Sequence, residues 1–426
     1  MSTVKETLTM TSGGLAIYSY PNPYLHTFCI CLYVKGGPLY ESPGENGISH
    51  FLEHIIFKNI NHEMNGKLFA VLDRLGLSFN ACTYREMIQF TITGPVKHFR
   101  EAAEILSCAF CEIDLPEHVI DTERKRILAE IRECDEKKDL DYFSQKKVWH
   151  DTSLAQSIAG KKKNLKACRG AQLKKIHAQL MSTNNCFYYL TGAFTGDDVR
   201  YLKEMTEKHK KNTLSPARTN AAVLPEDFCR RKRTLHLKKG TAAELSFAFD
   251  FHADGHSKAA RILLYDLLFS GDNSRIFQEL SEKTGYIYSF DSHLEEYENA
   301  CSLYLSFEIS PDKMVKAARK VTGILQELKE GRNICLDYVL PEYVENAELE
   351  LDSPESLNWT MAYEKHFLGQ SFDSLEERSE VYRKVSKEEI CRLAKVIFRP
   401  ENLTLCCKGR KAKVPKDLCE SVFSNL

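Results

Sequence analysis

The sequence predicts an α+β chain of two homologous domains, each an antiparallel sheet packed with helices. Three features predict it. Strand-period alternation appears in both halves, helix-period segments follow it in the same order, and a proline-bearing stretch of weak periodicity separates them. A length of 426 residues suits two or three domains. With 43% hydrophobic and 27% charged residues, the composition is that of a folded globular chain.

The first strand spans Thr27 to Val34. Phe28, Ile30, Leu32 and Val34 alternate there with Thr27, Cys29, Cys31 and Tyr33, leaving one face more apolar than the other. Gly36-Gly37-Pro38 ends it. A helix follows over about Gly47–Phe57, then a strand pair between Leu77 and Thr93, then helices over 96–113 and 116–137. The second half repeats this order. Leu245–Phe251 is a strand and Ala259–Phe269 a helix. Tyr286–Phe290 and Cys301–Ile309 mirror the earlier strand pair, and Pro311–Lys329 is the helix after it. The proline that closes the strand is common to both copies, as Pro95 and Pro311. The expected domains are residues 1–210 and 228–426, joined by a linker over 211–227 that holds Pro216 and Pro225.

Charge and thiols exclude several classes of function. Against 58 Lys and Arg stand 59 Asp and Glu, a net charge of −1, which argues against a nucleic-acid binder working by phosphate neutralisation. No apolar run approaches the ~18 residues of a membrane span. The start, Met1 to Thr7, carries no apolar signal core, and 15 scattered cysteines suit reduced thiols, so the expected compartment is the cytoplasm. Cys108-Ala109-Phe110-Cys111 has CxxC spacing, but it stands in an apolar stretch. With no second such pair for a zinc ribbon, it reads as two small buried hydrophobes.

The sharpest signal is His50-Phe51-Leu52-Glu53-His54. On a helix, His54 falls about 40° and Glu53 about 60° from His50, on opposite sides of it. Ile48, Phe51, Leu52, Ile55 and Ile56 take the other face. Two imidazoles one turn apart can chelate one Zn²⁺, with a carboxylate beside them to handle water. Two surface histidines on an amphipathic helix would look the same, so a third ligand is needed. Glu123 and Glu130 lie about 20° apart on a second helix, and either one could bind the metal while the other orients a ligand.

With these residues in place, the chain resembles the inverzincin metallopeptidases of the pitrilysin/insulinase superfamily. The likeness is to the metal-bearing subunit of its short two-domain processing-peptidase branch. Gly47 to Lys58 is similar to the signature helix, and Glu130 stands at the family's spacing from His54. Asn80-Ala81-Cys82-Thr83 resembles the strand that pairs with substrate, and Ser274 to Leu280 resembles a second-domain helix segment. The resemblance implies two domains arranged as a clam-like pair, with Zn²⁺ held by His50, His54 and Glu130. It makes Glu53 the general base, Glu123 an accessory carboxylate, and Asn80 and Ala81 part of the substrate-binding strand.

It also implies a partner. Many members carry an Arg and a Tyr seven residues apart on the second domain, where they grip substrate and stabilise the oxyanion. Here the Tyr position matches Tyr288 and the Arg position matches Ser281, which can supply no cation. Either Arg275 or Lys283 serves instead, or a homologous subunit contributes the pair in a heterodimer. The expected activity is therefore zinc-dependent hydrolysis of peptides or unstructured leader segments, including leaders of ribosomally made peptide natural products. The competing expectations are a non-catalytic scaffold or peptide-binding subunit of the same fold and a homodimeric oligopeptide scavenger.

Overall fold

A computed structural model describes residues 4–133, 139–150, 152–209, 233–252, 255–297 and 300–426. The chain folds as two compact units. The first takes residues 1–134, 152–223 and 348–366, and the second 135–151, 224–347 and 367–426. The expected linker, 211–227, lies outside the described residues, as do the last residues of the helix expected over 116–137.

The first unit holds a six-stranded sheet in the order β1-β2-β6-β3-β5-β4. Its strands are β1 Thr7–Met10, β2 Ala16–Pro21, β3 Thr27–Lys35, β4 Ser78–Thr83, β5 Met87–Pro95 and β6 Cys186–Gly192. The second unit holds a five-stranded sheet in the order β7-β11-β8-β10-β9. Its strands are β7 Leu235–Lys239, β8 Glu244–His252, β9 Asp291–Glu296, β10 Ala300–Glu308 and β11 Leu403–Gly409. Strand for strand, the second sheet repeats β2-β6-β3-β5-β4. Neither sheet is wholly antiparallel as expected, because β2 pairs parallel with β6 and β7 with β11. The α+β class of two repeated units stands.

One strand is displaced from its expected place. Tyr286–Phe290 is irregular, and the edge strand is β9, whose Asp291-Ser292-His293-Leu294-Glu295-Glu296 lacks apolar alternation. An edge strand needs only one apolar contact face, and here Leu294 provides it against the core.

Phe28, Ile30, Leu32 and Val34 of β3 enter the first core with Ile48, Phe51, Leu52, Ile55 and Ile56 of the helix Ile48–Glu63. Burying each such side chain stabilises the fold by about 1.5–3 kcal/mol. The opposite face of β3 is buried too, because the helix Pro354–His366 covers it. Tyr33 Oη donates to Asn358 Oδ1 at 2.9 Å, and Asn358 Nδ2 donates to the Tyr189 carbonyl at 2.9 Å. In the second unit the helix Leu140–Trp149 plays this part against β8 and β11, with Ser144 and Ser246 hydroxyls 2.8 Å apart. Each sheet is thus covered on its second face by a helix from the other half of the sequence.

Candidate active site

The helix Ile48–Glu63 carries His50, Glu53 and His54, and it runs six residues beyond the expected end at Phe57. Asn59 explains the extension. Its side chain donates to the carbonyls of Cys111 and Glu112 and accepts from Asp114 N, anchoring the helix to the loop beyond Cys111. At the other end, the carboxylate of Glu41 accepts from Gly47 N at 2.8 Å and Ser49 N at 2.7 Å, so it satisfies amides that the helix leaves open. Glu41 is 1% exposed. Burial pushes its carboxyl up, against the pull of those two amides. Gly47 has φ +101°, and a Cβ there would meet Gly160 Cα at 2.7 Å, so only glycine fits this entry to the helix.

The helix Glu117–Glu133 packs against this helix and delivers Glu123 and Glu130. Glu130 is a partly buried carboxylate with its two oxygens 3.7 Å from His50 Nε2 and 3.8 Å from His54 Nε2. Glu123 is 2% exposed and takes the other nitrogen of His54, with Oε2 3.3 Å from Nδ1. Glu123 also faces Lys58 Nζ at 3.4 Å and Arg126 Nη1 at 3.3 Å, so it is engaged on several sides. The two glutamates that sequence geometry left interchangeable are therefore distinct. Glu130 faces both imidazoles, and Glu123 stands behind one.

The donor set fits zinc. Two imidazole nitrogens and a carboxylate oxygen lie within 4.8 Å of one another. Ligands about 2.0–2.2 Å from a tetrahedral zinc are themselves about 3.3–3.5 Å apart, and the two Glu130 oxygens stand 3.7 and 3.8 Å from the two imidazole nitrogens, close to that spacing. Burial lowers the pKa of His50, which keeps a lone pair available for a cation. Glu53 turns to the side, where Thr83 Oγ1 donates to its Oε2 at 2.6 Å. Burial raises the Glu53 carboxyl, opposed by Thr83 and by His50, and a raised carboxyl suits a group that accepts and returns a proton.

Thr83 ends β4, the outermost strand of the first sheet. Asn80 and Ala81 lie on that strand in register with Thr91 and Phe90 of β5, and the helix Ile48–Glu63 packs against it. The unpaired edge of β4 therefore runs beside the His–Glu cluster. Tyr288 belongs to the second unit, where it is 95% exposed and lines a cavity of about 420 Å³ with Tyr286, Ile287 and Arg410. Ser281 sits in a π-helical turn, Phe277–Glu282. Arg275 is engaged by the Glu327 carboxylate and by the Asn333 carbonyl, and Lys283 pairs with Glu279.

The model "Insulinase (Peptidase family M16)" matches residues 17–162, and "Peptidase M16 inactive domain" matches 169–334. The chain belongs to the M16 peptidase superfamily. The M16 chain is a zinc-dependent endopeptidase whose first unit carries His50, His54 and Glu130 as the ligand cluster. It is 24% identical over 403 residues to an uncharacterized zinc protease of Rickettsia bellii, covering 91% of this chain and 93% of that one. It is 30% identical over 168 residues to the mitochondrial-processing peptidase subunit beta of Rattus norvegicus, covering 38% of this chain and 34% of that one. Among solved structures it is similar to the periplasmic protease PqqL of Escherichia coli. The TM-score is 0.79 at 14% identity, over 99% of this chain and 50% of that one. This likeness overturns the cytoplasmic expectation. The fold also serves a protein of the periplasm, so unpaired thiols and a polar N-terminus do not fix a compartment. No helix among the described residues is long and apolar enough to cross a membrane.

Two residues of the site carry no signal in the sequence reading. Thr83 lies inside the Asn-Ala-x-Thr string, but nothing in that string names Glu53 as its partner. Glu41 precedes the motif by nine residues in a loop, where a capping role shows only in three dimensions.

Proposed function

We propose that this M16 peptidase is a processing enzyme that cuts extended peptide segments laid along the edge of β4. The observation that carries the reading is the free edge of Ser78–Thr83 ending at Thr83, whose hydroxyl holds the carboxylate of Glu53. An added strand would bind through backbone amides and carbonyls, with Asn80 and Ala81 at its centre. Such binding reads shape more than sequence and requires an unfolded substrate. His50, His54 and Glu130 would hold the metal. Bound zinc supplies a Lewis acid that polarises a carbonyl and makes water nucleophilic near neutral pH. Glu53 Oε1 is the proton acceptor during attack and returns the proton to the leaving amine, while Thr83 fixes Oε2. Glu123 holds the His54 ring in orientation through Nδ1.

On the second unit Tyr288 shares its cavity with Arg410, while the sequence position expected to hold an arginine is Ser281. Arg275 and Lys283 are both engaged with carboxylates of their own unit, and Ser281 has no charge. This supports a homologous partner subunit that contributes the Arg/Tyr pair, and the relative named a subunit of a processing peptidase points the same way. The narrower substrate in this reading is an unstructured leader of a ribosomally made peptide.

The test is cleavage of a diverse peptide pool by the chain alone and with a paired homologue, read by mass spectrometry, with Glu53→Gln as the blank. Metal-dependent cuts in extended peptides that appear or rise with the homologue support the reading. Zinc-loaded protein that cuts nothing in either arm, or a Glu53→Gln protein that cuts as well as the parent, overturns it.

A further inference from the structure

Cys108 and Cys111 stand apart from the two small hydrophobes their apolar setting suggests. Both are only partly buried. Cys108 opens the 3-10 turn Cys108–Phe110 that continues the helix Phe99–Ser107, and Cys111 follows that turn. Next to them the fold places His209, the last residue of the helix Gly196–His209. Cys111 Sγ and His209 Nδ1 are 3.2 Å apart. The two sulfurs and an imidazole nitrogen lie within 4.8 Å of one another, about the spread of three ligands around one cation.

The surroundings favour a cation over reactive thiols. Cys108 follows the C-terminal end of one helix, and His209 is the last described residue of another. Glu63, at the C-terminal end of the helix Ile48–Glu63, acts electrostatically on all three groups. That helix and the helix Gly196–His209 both pack against the Cys108–Phe110 turn. A helix C-terminus carries partial negative charge, so the ends of the helices Phe99–Ser107 and Ile48–Glu63 favour a bound cation here. A redox CxxC pair has the opposite setting, at a helix N-terminus that stabilises the thiolate.

We propose that Cys108, Cys111 and His209 form a second metal site, for Zn²⁺, with a fourth position left to water or another donor. Two thiolates and an imidazole are a soft donor set of the kind that selects zinc, and binding releases the two thiol protons to solvent. The site shares no residue with His50, His54 and Glu130. It would fasten the end of the helix Gly196–His209 to the turn after Ser107, and so has a structural part rather than one in peptide hydrolysis.

The catalytic donors contain no sulfur, which makes the two sites separable by spectroscopy. Co²⁺ alone is titrated into the reduced full-length chain and into His50→Gln/His54→Gln. The expected result is a sulfur-to-cobalt charge-transfer band in both, saturating at one equivalent in the double variant and displaced by Zn²⁺. Cys108→Ser/Cys111→Ser should lose the band. His209→Ala keeps both thiols and should bind Co²⁺ at least about tenfold more weakly; it decides the matter if the serine variant fails to fold. No band in the reduced parent, a band that survives in Cys108→Ser/Cys111→Ser, or unchanged affinity in folded His209→Ala would overturn the proposal. So would a Cys108–Cys111 disulfide whose reduction yields no cobalt band, since that marks a redox pair.

Discussion

Thr83 donates its hydroxyl hydrogen to Glu53 across 2.6 Å, linking the last residue of an edge strand to the carboxylate of the metal helix. The contact leaves one carboxylate oxygen for chemistry and fixes the other. Thr83→Val removes the donor at nearly constant volume. We expect kcat to fall roughly 10- to 100-fold, the scale of one hydrogen bond to a charged group. Zinc content should hold, because Thr83 touches no ligand. Steady-state kinetics beside metal analysis checks both, and Thr83→Ser should recover most of the rate.

Glu123 should matter for affinity more than for rate. It orients His54 through Nδ1 and is nearly fully buried. Glu123→Gln is expected to weaken zinc binding by about 10- to 100-fold, with activity at saturating zinc largely kept. Competition with a chelator of known affinity reads the change directly. An unchanged affinity would remove Glu123 from the site.

The Glu41 cap supports the helix rather than the chemistry. Glu41→Ala strips acceptors from Gly47 N and Ser49 N in a buried place. The expected loss of stability is about 1–3 kcal/mol. Thermal unfolding should show it, and Glu41→Gln should lose less because one carbonyl oxygen still accepts.

Glu6 gives a pH signature far from the metal ligands. Its carboxylate accepts from Tyr189 Oη at 2.7 Å and Lys365 Nζ at 2.6 Å, with His366 Nε2 at 3.6 Å. Burial raises its pKa, but the nearby His366 imidazole and the hydrogen bonds from Lys365 and Tyr189 outweigh burial and hold it below the ordinary value. A lowered folded pKa gives stability that is present above the unfolded value, ~4.3, and lost as pH falls through the folded one. Glu6→Gln should therefore cost about 1–3 kcal/mol at pH 7, with the gap to the parent closing below about pH 4. Denaturant melts of both proteins at the two pH values test this.

Much of the metal site was legible because a helix makes spacing into geometry. His50 and His54 had to share a face, and Glu123 and Glu130 had to share another. Which glutamate faces the histidines depends on how two helices meet, and no local pattern encodes that. The same limit explains the pairs that sequence reading missed, Thr83 with Glu53 and His209 with Cys111. Each joins residues from different elements. Strands with one apolar face were readable, as β3 and β8 show. β9 was not, because its polar Asp291–Glu296 run gains strand structure from pairing with β10 rather than from its own pattern.

The exchanged helices set the order in which this protein can finish folding. Cys29, Cys31 and Tyr33 are buried only with Pro354–His366 in place, and that helix is synthesised after ten of the eleven strands among the described residues. A nascent chain that has emerged only through β6 carries all six strands of its first sheet with one broad face still open to water. Synthesis of the first sheet therefore ends well before its packing does. A truncation anywhere ahead of residue 354 should yield a chain that chaperones hold and proteases clear, even with every zinc ligand present.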